Sequence, residues 1–128
     1  MKNKVILTKN AKMWMENGIL HCQLFPNTEL TLESTKEIVE ETLKLCKGKN
    51  VPILGDIGKV KYINRESREY FSGEEAMKAA SSLALLTHTP VSSVIGNFFL
   101  GINSPPYPVK LFTSEDKALK WLEQFTKL

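Results

Sequence analysis

The sequence predicts a single α/β domain: a mixed sheet of about five or six strands, an antiparallel hairpin at its start, and helices mainly on one face. Three observations carry this. Two β-type runs flank Asn17-Gly18, a strong hairpin signal. The chain then alternates helical and strand patterns, which implies parallel strands joined by right-handed crossovers. Short apolar runs ending at Asp56 and just before His88 read as buried strands.

Composition sets the frame. A chain of 128 residues makes one domain, 1–128, with one core. Apolar residues at 42% and charged residues at 24% are ordinary for a globular protein. The net charge of +3 is mild and its lysines are spread along the chain, so nucleic-acid binding is not expected. The opening MKNKVILTKN has too short an apolar run for a signal peptide, and no segment approaches a membrane span. A cytoplasmic protein is expected. Cys22 and Cys46 sit in no metal-binding or CxxC spacing, so two buried thiols are expected rather than a disulfide.

The elements follow in order. Lys4 to Thr8, Ala11 to Glu16 and Ile19 to Phe25 are strands, and alternation puts Leu20, Cys22 and Leu24 on one face and Ile19, His21 and Gln23 on the other. His21 reads as half-exposed; alternation keeps it from joining Cys22 at a metal. Thr31 caps a helix whose stripe is Thr35, Ile38, Val39, Thr42, Leu45 and Cys46, stopped at Gly48. Lys36–Glu40 and Glu40–Lys44 are its expected surface pairs.

Pro52 opens the next strand, where a missing amide is tolerated at an end or edge. Asn64 caps a short helix, Arg65 to Phe71. Ser72 and Glu75 read as a capping box for a second piece through Ala80. Ser82 to Thr87 is a strand buried on both faces. Ser92 caps a helix to about Ile102, with Val91, Val94, Ile95, Phe98 and Ile102 on the buried arc, Phe99 at its border and Leu100 opposite. The stiff run NSPPYP leads to a last strand, Val109 to Phe112. Thr113 or Ser114 then caps a helix that buries Ala118, Trp121, Leu122 and Phe125.

That order, with PILGDIGKVKYINRES leading into a helix, resembles the STAS domain of bacterial anti-sigma-factor antagonists (SpoIIAA-like). The pattern there is an apolar strand ending in Asp, a loop with apolar positions, then Asp-Ser-Ser-Gly at a helix start. Asp56 matches the strand-end Asp, and Val60, Tyr62 and Ile63 match the loop. Asn64 falls on the motif's first Asp, and Arg65, Glu66 and Ser67 fall on Ser-Ser-Gly. The ending, from NFFLGIN through LFTSEDKALKWLEQF, looks like an uncharacterised bacterial STAS/SEC14-like subfamily. In the switch family the second Ser is phosphorylated, and the added charge blocks docking on a partner kinase. Glu66 stands in that place here, either as a fixed negative charge or as an ordinary first-turn acid.

The resemblance implies a non-catalytic regulatory or protein-interaction module. Asp56, Asn64, Arg65, Glu66 and Ser67 are its switch-loop candidates, and its partner is another protein or a second copy in a homodimer. Phe99, Leu100, Pro105, Pro106 and Tyr107 form an apolar group that serves as a partner surface or the rim of a pocket, or else simply packs on the final helix or the sheet edge. The pocket reading gives the alternative function, binding of a small hydrophobic, lipid-like ligand, with Tyr70 to Met77 as its other wall. A third reading is a small hydrolase, which needs Asp56 and His88 within hydrogen-bond reach. No nucleophile accompanies them at a recognisable spacing, so no catalytic residues, metal or cofactor are assigned.

Overall fold

A computed structural model describes residues 4–71, 73–90, 94 and 107–126. Strands β1 (Val5–Leu7), β2 (Ala11–Glu16) and β3 (Ile19–Leu24) run antiparallel. The turn between β2 and β3 has Asn17 at φ 53° and Gly18 at φ 79°. Two successive left-handed residues match the natural twist of a hairpin, which is why Asn-Gly closes it. The chain continues through β4 (Glu29–Leu30), α1 (Leu32–Cys46), β5 (Val51–Asp56), β6 (Tyr62–Ile63), α2 (Arg65–Phe71) and α3 (Glu74–Met77). It ends with β7 (Ala80–Leu86), β8 (Val109–Phe112) and α4 (Glu115–Glu123).

The main sheet has six strands in the order β1-β2-β3-β5-β7-β8, parallel from β3 onward, and β4 with β6 forms a small parallel pair beside it. Pro52 lies one residue inside β5, a central strand, where the register shifts between Val51 and Pro52. The shift accommodates the missing amide.

Two cores flank the sheet. On one face α1 lays Ile38 beside Met13, Leu24, Leu30, Ile57, Val60 and Ile63, while Leu20, Cys46 and Ala79 continue the layer. On the other, α4 packs Ala118 and Leu122 on Ile19, Leu54, Ala84 and Leu86. Each fully buried leucine or isoleucine contributes roughly 2 kcal/mol. Helix α1 starts in a capping box: Ser34 N–H donates to Thr31 Oγ1 at 3.3 Å and Thr31 N–H to Ser34 Oγ at 2.9 Å. Left-handed Lys47 (φ 51°) and Gly48 (φ 81°) end it.

Four expectations need correction. Helix α3 is a single turn with Gly73 as its N-cap and no side-chain cap, and Ala80 already belongs to β7. The buried Ala79-Ala80 pair pulls the chain into the sheet before a second turn can form. Ser72 itself lies outside the described residues. His21 is only 8% exposed, because Trp14 covers it from β2. Glu40–Lys44 forms at 3.6 Å, but Lys36 sets its ammonium 5.9 Å from the Tyr70 ring centroid. Val94 is helical yet 69% exposed. Helical spacing shows which residues share an arc but not which arc meets the sheet. The rest of the expected 92–102 helix lies outside the described residues.

Candidate functional site

The loop leaving β5 is held from both sides. Asp56 ends the strand, and its Oδ1 accepts the Gly58 N–H at 2.9 Å, an Asx turn that bends the chain. Ile57 donates to the Leu86 carbonyl at 3.0 Å, and Ile57 and Val60 anchor the loop in the core. The other side is the β3–α1 connection: Asn27 N–H donates to the Lys59 carbonyl at 2.9 Å, and the Thr28 carbonyl accepts from Lys61 and Tyr62 at 2.9 and 3.1 Å. Pairing of β6 with β4 then sets Tyr62 beside Glu29 and Ile63 beside Leu30.

This frame delivers the chain to the start of α2. Asn64 caps it, its Oδ1 accepting the Ser67 N–H at 2.8 Å. Arg68 donates from Nη1 to the Ile63 carbonyl. Arg65 and Glu66 are exposed, and Arg65 Nε lies 3.4 Å from Glu69 Oε1, a wet pair of small value. Ser67 is fully buried, and its hydroxyl has no hydrogen-bond partner among the described residues. The accessible surface at this helix start is therefore Arg65 and Glu66, with Asn64 half-buried as the cap.

Of the loop's apolar positions, Val60 and Ile63 are buried at 3% and 1%, whereas Tyr62 is 52% exposed. The sequence pattern groups Tyr62 with Val60 and Ile63 as one apolar set and does not mark it as the member that faces solvent. The signal was there in the two-residue parity of a strand: with Ile63 turned inward, its neighbour turns out.

Asp56 and His88, which the sequence pairs only if their strands are neighbours, do converge. Strands β5 and β7 are adjacent and parallel, with Asp56 in register with Leu86. A side-chain carbon on Gly58 would stand 2.0 Å from His88 Cδ2 and 3.0 Å from Asp56 Oδ1. The imidazole thus stands so close to this backbone position that it leaves no room for a side chain there. The cysteines supply no nucleophile for this pair. Burial, with some contribution from the Asp56 carboxylate, pushes the Cys22 thiol up to about 12, and burial pushes Cys46 to about 11. Both are free and neither is a thiolate at neutral pH, but only Cys46 is the buried thiol expected of both, since Cys22 is partly exposed. Among the described residues no group of three His, Cys, Asp or Glu side chains gathers as a metal site.

Phe99, Leu100, Pro105 and Pro106 lie outside the described residues. Tyr107 is half-buried, and burial raises its phenol above the ordinary value. No described helix is long and apolar enough to cross a membrane.

Residues 13–126 match the family described as a domain of unknown function, DUF7793. Among solved structures, an uncharacterised DUF3478-family protein with a SpoIIAA-like fold from Shewanella loihica PV-4 is similar over 94% of this chain and 92% of that one, with a TM-score of 0.53 and 16% identity. A protein of unknown function from Arthrobacter sp. FB24 is 30% identical over 94% of this chain and 92% of its own, with a TM-score of 0.33. No curated protein matches the chain. The fold is SpoIIAA-like.

Proposed function

Because the chain belongs to the DUF7793 family and has a SpoIIAA-like fold, we propose that it is a non-catalytic interaction module whose docking surface is the start of α2. The observation that carries this reading is the outward-facing set Tyr62, Arg65 and Glu66 on a backbone tied down from two sides. Tyr and Arg are among the residue types most enriched as interface anchors. Glu66 supplies a permanent carboxylate in the first turn of α2, where the helix dipole favours it. The neighbouring hydroxyl, Ser67, is enclosed, which supports a fixed charge from Glu66 over one switched by phosphorylation at Ser67.

A photo-crosslinking residue in place of Tyr62, used in the native host, tests the reading. One protein should be captured, and Glu66→Lys should abolish its capture while leaving the fold intact. Absence of an adduct, or an adduct indifferent to Glu66→Lys, would overturn the proposal.

A further inference from the structure

The edge of the sheet at β1 has a chemistry of its own. Thr8 N–H donates to the Ala11 carbonyl at 2.8 Å, continuing the register that pairs Ile6 with Met13. Bonded and non-bonded pairs alternate along an antiparallel ladder, so Ile6 and Thr8 turn their backbone groups toward β2. Val5 and Leu7 therefore point their N–H and C=O groups away from the sheet, and no described strand lies beyond them. Their side chains are also in water, Val5 at 48% and Leu7 at 68% exposed.

Proteins usually blunt such an edge, because unpaired backbone beside exposed aliphatics invites another strand. Here the surroundings are selective. The first fifteen residues include Lys2, Lys4, Lys9 and Lys12 and no acid before Glu16. Lys9 borders a groove that it shares with Glu29, Glu33 and Glu37, whereas Lys4 directly precedes β1 and Lys12, in register with Leu7, holds its ammonium 5.3 Å from the Trp14 ring centroid. A second copy would set this lysine run against itself. Carboxylates would be drawn to it.

We propose that the outer edge of β1 is a second docking site, taking as an added strand an extended partner segment of alternating apolar and acidic residues. Backbone bonds to Val5 and Leu7 would fix the register, apolar side chains would cover these two residues, and the carboxylates would meet Lys4 and Lys12. The site is separate from the start of α2, and it stands or falls independently of that reading.

The probe is a short capped peptide alternating valine and glutamate, titrated into the full chain while backbone amide signals are followed by NMR. The expected shifts centre on Val5–Leu7 and β2. Binding should weaken with added salt, be absent for the same peptide with lysine replacing glutamate, and fall at least about tenfold in Leu7→Asp, a loss of about 1.4 kcal/mol. Leu7 is exposed, so that variant keeps its fold and remains a fair control. Shifts centred elsewhere, equal binding of the lysine peptide, or dimerisation of the chain through β1 would each overturn the proposal. So would binding of β1 to anionic phospholipid vesicles with no response to the peptide.

Discussion

The imidazole of His21 lies parallel to the indole of Trp14, 4.8 Å between centroids and 14° between planes, across the β2–β3 ladder. The stack buries a titratable ring beside the antiparallel hairpin. Desolvation lowers the His21 pKa below 6.5, with Glu16 and Glu115 opposing more weakly. The neutral ring is thus the form the fold prefers.

The sign of the pH dependence follows. The stabilisation is complete above the unfolded-state value of 6.5 and is lost as pH falls through it toward the lower folded value. Denaturant unfolding of the wild type and His21→Phe across this window should show the wild type losing stability relative to the variant in acid. Parallel pH profiles would show that the ring is not desolvated.

Gly58 is held to glycine by its neighbour. Gly58→Ala must displace His88 or the Asp56 carboxylate, at a cost of roughly 1–3 kcal/mol. Adding His88→Ala should recover part of that loss, because the clash is with the imidazole. A double-mutant cycle measures it; strictly additive values would place the cost elsewhere.

Ser67 separates a buried helix residue from a modifiable one. Ser67→Ala should be neutral or slightly stabilising, since the hydroxyl has no partner to lose among the described residues. Ser67→Asp should cost several kcal/mol by burying a carboxylate. Thermal melts of both variants decide this. A fully stable Ser67→Asp would reopen phosphorylation at that position.

The Asn64 side chain accepts from the Ser67 amide, so Asn64→Ala should cost about 1 kcal/mol, and Asn64→Asp should retain most of the stability. Chemical denaturation at neutral pH gives both values. Hydrogen exchange in α2 should rise in the alanine variant alone.

Cys22 and Cys46 should react with a thiol reagent only slowly in the native protein at neutral pH, and both fully in denaturant. Rapid native labelling of either would show that the sheet–α1 layer opens locally.

Much of this molecule can be read from residue order because its local rules agree with one another. Asn17-Gly18 admits a left-handed pair and so makes a hairpin; Thr31 and Asn64 cap helices; the α1 stripe is buried from Thr35 to Cys46. These depend on backbone geometry within a few residues, and the sequence by itself determined them, along with the strand–helix alternation that makes the sheet parallel after β3. What only the tertiary structure decided involves partners distant in sequence. Trp14 turned His21 into a buried ring, β5 and β7 brought Asp56 and His88 together at Gly58, and enclosure removed Ser67 from the surface that Tyr62 joined. Burial belongs to a position in space, and a periodic pattern specifies a face without specifying what comes to cover it.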